Sequence, residues 1–105
     1  MSSPASSAAL DKAALRGEPS YVWRAGQQRR LEMIRTAAGS ERLLGRVFED
    51  GSGVGSYLVR LAEDAAQAVG LEIDTERARD SKALVDQVIQ GAGEYLPFPT
   101  DTFDL

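Results

Sequence analysis

Cysteine and histidine are both absent from this 105-residue chain. Without cysteine there are no disulfides and no thiolate metal sites. Without histidine as well, zinc chemistry is excluded and only scattered carboxylates remain as metal ligands, so no metal site is expected. The same two absences remove a Ser-His or Cys-His catalytic pair from this stretch, and no catalytic residue is assigned: any reaction leans on a cofactor or on residues not seen here. Long apolar runs are missing too. Nothing approaches the roughly 20 residues that span a bilayer, and the start Met1-Ser2-Ser3-Pro4 lacks a basic segment followed by an apolar one. A soluble cytoplasmic protein with no membrane partner is the expectation. Positive charge is not in excess: the formal net charge is −4 with both signs interspersed, so nucleic acid is not an expected partner.

What remains is ordinary globular material, 43% hydrophobic and 27% charged, most of it suited to packing a core. Positions 2–9 are Ser and Ala with one Pro, which predicts a flexible tail over 1–19 ahead of a domain over 20–105. Leu31, Ile34 and Ala38 fall at helical spacing with Arg29, Arg30, Glu32 and Arg35 on other faces. This is an amphipathic helix running from Tyr21 to a stop at Gly39-Ser40, with a short second helix over Glu41, Leu43 and Leu44. Arg46-Val47-Phe48-Glu49 reads as a strand entering the turn Asp50-Gly51-Ser52-Gly53-Val54-Gly55. Leu58, Leu61, Ala62 and Ala65 then open a helix directly from that turn.

Ala68 to Ile73 is a short apolar strand of the kind buried on both faces. Asp74-Thr75-Glu76 starts the next helix, with Asp74 as its cap and Ala78, Lys82 and Val85 as its stripe. Val88-Ile89-Gln90 is a third strand, and Phe103-Asp104-Leu105 begins a fourth. The alternation predicts an α/β fold: a Rossmann-like parallel sheet with right-handed crossover helices, preceded by an N-terminal helix. About three strands and the start of a fourth make that sheet incomplete, and the short length points to truncation.

The chemistry-bearing feature is Glu49-Asp50-Gly51-Ser52-Gly53-Val54-Gly55 between a strand and a helix. Glycines let a ligand approach the main chain, and the amides at a helix start present donors. On pattern alone a plain tight turn competes with a binding loop. Glu72, at the end of the next strand, stands where a carboxylate accepts from ribose hydroxyls, and with Asp74 serving as the helix cap it is left to point at a ligand. Turn and acid together indicate a ribose-bearing cofactor.

On these residues the sequence resembles class I S-adenosylmethionine-dependent methyltransferases, and within them the group called methyltransferase type 11. The resemblance runs from about residue 21 to 105 in three blocks: Val47 to Gly55, Val69 to Asp74, and Gly93-Glu94-Tyr95-Leu96-Pro97-Phe98-Pro99 with Phe103-Asp104-Leu105. It implies that S-adenosylmethionine is the cofactor. Gly51, Ser52, Gly53 and Gly55 would pass beside its methionine portion, with Glu49 near the ammonium. Glu72 would hold the ribose hydroxyls, Ile73 would pack on the adenine, and Ala92, Gly93 and Glu94 would border its edge. The methyl acceptor is unknown, because the family's substrate contacts typically follow the fourth strand.

Two positions depart from the family: Asp50 stands where an apolar residue is usual, and Ala92 where many members carry an acid. A nicotinamide- or flavin-dependent oxidoreductase is the competing enzyme, but its Gly-x-Gly-x-x-Gly pattern needs glycine at position 56, which is Ser56. A truncated, non-catalytic product is the third reading, and the open sheet edge predicts self-association. Tyr21, Trp23 and Arg24 are either a flap over the cofactor or an anchor to the core, with the anchor favoured. Leu96-Pro97-Phe98-Pro99 lines the site or forms a rigid loop packed on the sheet.

Overall fold

The computed structural model describes residues 22–105, so the expected tail and Tyr21 lie outside the described residues. The elements run α1 (Ala25–Ala38), α2 (Ser40–Leu43), β1 (Arg46–Asp50), α3 (Ser56–Ala62), β2 (Gln67–Glu72), α4 (Thr75–Leu84) and β3 (Val88–Gln90). The three strands are parallel in the order β1-β2-β3. Val47 stands opposite Ala68, Glu49 opposite Gly70, and Gly70 opposite Val88. No fourth strand joins the three, but the chain's last residues bond to β1 where one was expected: Asp104 N and Leu105 N donate to Arg46 O at 2.8 and 3.3 Å, and Leu105 O accepts from Phe48 N at 2.8 Å. That places Leu105 parallel to Val47 on the outer edge of β1.

Because the strands follow one another in a single direction, right-handed crossovers put α3 and α4 on the same face of the sheet. Val47, Ala68 and Val88 point to that face. There they form two neighbouring clusters, Leu31 with Val47 and Leu61, and Leu58 with Ala68 and Val88. Leu31 and Leu58 are almost fully buried, each contributing roughly 1.5–3 kcal/mol of apolar burial. The opposite face carries no crossover helix. Phe48 meets Phe98 and Phe103 there, with ring centroids 5.0–5.2 Å apart, so Leu96 to Pro99 forms a loop packed on the sheet.

The amino-terminal helix docks through Trp23. Its ring meets Tyr57 edge-on at 5.0 Å, lies 3.5 Å beneath the Arg60 guanidinium, and donates from Nε1 to Gln28 at 3.0 Å. Trp23 is therefore an anchor. Burial pushes the Arg60 guanidinium below its usual range, opposed by Glu63 and reinforced by Arg35.

Several expectations change. The helix after the glycine turn ends at Ala62 and not Ala65, although Ala65 N still donates to Leu61 O. In α4 the inward residues are Ala78 and Ser81, and Lys82 is exposed. Ser81 is where the backbone of Gly55 closes on α4. Leu44 is exposed and Leu43 alone packs inward from α2. Finally, β2 closes at Glu72, leaving Ile73 outside the strand.

Candidate functional site

The carboxyl ends of β1 and β2 are tied together by the glycine turn. Gly51 N and Ser52 N both donate to Leu71 O, at 2.8 and 2.9 Å, and Gly55 N closes the turn on Ser52 O at 2.9 Å. Gly55 has φ +89°, and a Cβ there would stand 2.9 Å from Ser81 Oγ and 3.1 Å from the Ser81 backbone. Only glycine meets both conditions. Ser52 and Ser81 share a buried hydroxyl hydrogen bond of 3.2 Å. Below them, a Cβ on Gly70 would lie 2.7 Å from Leu58 Cδ2 and 2.9 Å from Ser52 Cβ, so strand, turn and helix are in direct contact.

Glu72 is buried at the end of β2. Its Oε1 accepts from Gly53 N at 2.8 Å and its Oε2 from Asp74 N at 2.9 Å. The carboxylate thus shapes the turn besides facing it. Each oxygen keeps acceptor capacity for a further donor. Asp74 caps α4 as expected, accepting from Arg77 N at 2.9 Å.

Glu49 is the electrostatic exception. It lies on the helix-bearing face two residues beyond Val47, and its Oε1 is buried with no hydrogen-bond partner among the described residues. Burial, and secondarily the charge of Glu72, raise its carboxyl from 4.5 to about 7. A buried carboxylate without a partner is normally explained by a group that binds it.

After β3 the chain is held to the same end of the sheet, because Gly91 N donates to Glu72 O at 3.0 Å. This brings Ala92, Gly93 and Glu94 beside the turn; Ala92 is half-buried and the other two are exposed. The Asp50 carboxylate lies against Gly93, where a Cβ would stand 2.7 Å from its Oδ1. Ile73 is 66% exposed, an apolar side chain displayed at the end of β2. Glu49, the turn glycines, Ser52, Glu72, Ile73 and Ala92 to Glu94 are therefore gathered at one end of the sheet, where open α/β sheets bind ligands. Two residues near the turn escaped sequence reasoning: Ser81, visible there only as a small residue in a helix, and Tyr57, whose hydroxyl is buried without a partner among the described residues.

Residues 48–105 match the methyltransferase domain family, more than half of the chain. The chain belongs to that family. No curated protein matches it. Among solved structures, the methyltransferase-domain chain is similar to the YcgJ protein from Bacillus subtilis. The two are 23% identical with a TM-score of 0.65, over 72% of this chain and 35% of that one. That likeness is one of fold, and the chain spans about a third of that protein's length.

Proposed function

We propose that this chain is the cofactor-binding part of an S-adenosylmethionine-dependent methyltransferase that passes a methyl group to an acceptor. The observation that carries the reading is Glu49: a buried carboxylate oxygen at the end of β1, with no partner among the described residues, is the complement of an ammonium group. Glu72, on the adjacent strand end, has acceptor capacity left for ribose hydroxyls, and Ile73 offers an apolar surface to a purine. Ala92, Gly93 and Glu94 border that surface. Gly51, Ser52, Gly53 and Gly55 bring the main chain close to the methionine portion. When bound, the cofactor's sulfonium supplies the reactive methyl, and the contribution of these residues is to bind and orient it. Ser56 begins α3 where a dinucleotide site would need its third glycine, which speaks against a nicotinamide or flavin cofactor. No helix among the described residues is long and apolar enough to cross a membrane, and a cytoplasmic location belongs to the same proposal.

Isothermal titration tests the reading. S-adenosylmethionine and its demethylated product should bind saturably, NAD should not, and Glu72→Ala should weaken both of the first two. A demonstrably folded chain that binds neither, or that prefers NAD, would overturn it.

A further inference from the structure

Tyr57 is the second buried polar group at this end of the sheet with nothing to bond. It sits in the first turn of α3, directly after the glycine turn, and its hydroxyl has no hydrogen-bond partner among the described residues. The ring is fixed by the edge-on contact with Trp23 and by packing on the cluster of Leu31, Val47 and Leu61. Val47 and Glu49 alternate along β1 onto that same face. Glu49 and Tyr57 therefore both lie on the helix-bearing side of β1, on either side of Val47's packing.

These two groups are a hydroxyl donor and a carboxylate acceptor, and they do not satisfy each other. Native proteins leave few such buried atoms unpaired. Packing alone does not explain the hydroxyl, since phenylalanine would present the same ring to Trp23. Arg60, one turn along α3, is buried nearby, with its guanidinium lying on Trp23 and donating to Ser56 O at 2.7 Å. A ligand matching this pair carries a cation for Glu49 and, a few bonds away, an acceptor for Tyr57. An α-amino acid head group has both.

We propose that the Tyr57 hydroxyl donates to the carboxylate of the cofactor's methionine end while Glu49 accepts from its ammonium. Tyr57 is thus a binding residue that reads the amino-acid head group. The proposal rests on the S-adenosylmethionine reading above, and it makes the two ends of the zwitterion separable by experiment.

The test compares S-adenosylmethionine with its decarboxylated analogue, which keeps the ammonium and lacks the carboxylate, in Tyr57→Phe and Glu49→Gln. Tyr57→Phe should weaken S-adenosylmethionine about tenfold, equivalent to about 1.4 kcal/mol, and leave the analogue unchanged. Glu49→Gln should weaken both ligands. Because Tyr57→Phe keeps the ring, its urea midpoint should not fall below that of the wild type, which separates loss of binding from loss of fold. Equal weakening of the two ligands by Tyr57→Phe, or none of either, overturns the role of Tyr57 and leaves the cofactor reading standing. Failure of the wild-type chain to bind either ligand overturns both.

Discussion

Glu49→Gln should stabilise the chain above neutral pH while weakening its ligand binding. The carboxyl of Glu49 is raised from 4.5 to about 7, chiefly by burial and then by Glu72. The folded chain therefore holds this proton more tightly than the unfolded one. Stability falls as pH rises past 4.5, and the loss is complete once pH exceeds the folded value of about 7. At about 1.4 kcal/mol per pH unit, the displacement amounts to about 3 kcal/mol, a large share of what a small domain possesses. Glutamine preserves the shape and removes the titration. Urea unfolding of wild type and Glu49→Gln at pH 4 and pH 8, followed by fluorescence of the single tryptophan, Trp23, compares chains that differ in this one carboxyl. The stability difference should shift in favour of Glu49→Gln by about 3 kcal/mol between the two pH values. A difference that stays flat across that range would refute the reasoning.

Other outcomes follow from the same geometry. Glu72→Ala strips acceptors from Gly53 N and Asp74 N, and should lower stability by about 2 kcal/mol in urea titration; a neutral substitution would mean that the turn holds itself. Gly55→Ala combines left-handed backbone with a contact on Ser81. It should lose about 2–3 kcal/mol, and a melting temperature equal to wild type would contradict the close approach.

The strands, the helices and the glycine turn were legible because each has a local signature: strand and helix periodicity for the elements, closely spaced glycines for the turn, and Asp74 for the cap that α4 uses. Glu72 was recognised as the strand-end acid, but its bonds to Gly53 and Asp74 were not. Those depend on how β1 and β2 meet, and no local pattern encodes that. Helical spacing alone sets Lys82 on one stripe with Ala78 and Val85, whereas the buried positions of α4 are Ala78 and Ser81, where Gly55 closes in from another element. Leu44 matched an apolar pattern and is exposed, because a four-residue helix presents too short a face to bury both leucines. Tyr57 carries no signature in the sequence that sets it apart. Only the absence of a partner for its hydroxyl, a property of the tertiary structure, distinguishes it.

The placement of both crossover helices on one face also gives the two sides of the sheet different folding histories. On the helix side, β1 meets β2 and β2 meets β3 across one crossover each, so every new layer closes a short loop onto what has already formed. On the other side, Phe48 waits for Phe98 and Phe103 from the far end of the described chain. Contacts so distant in sequence close later, because the entropy of a longer loop is lost before any packing returns it. The turn that carries the candidate site belongs to the early side, so pulsed hydrogen exchange during refolding should protect Gly51 N and Ser52 N before Phe48 N.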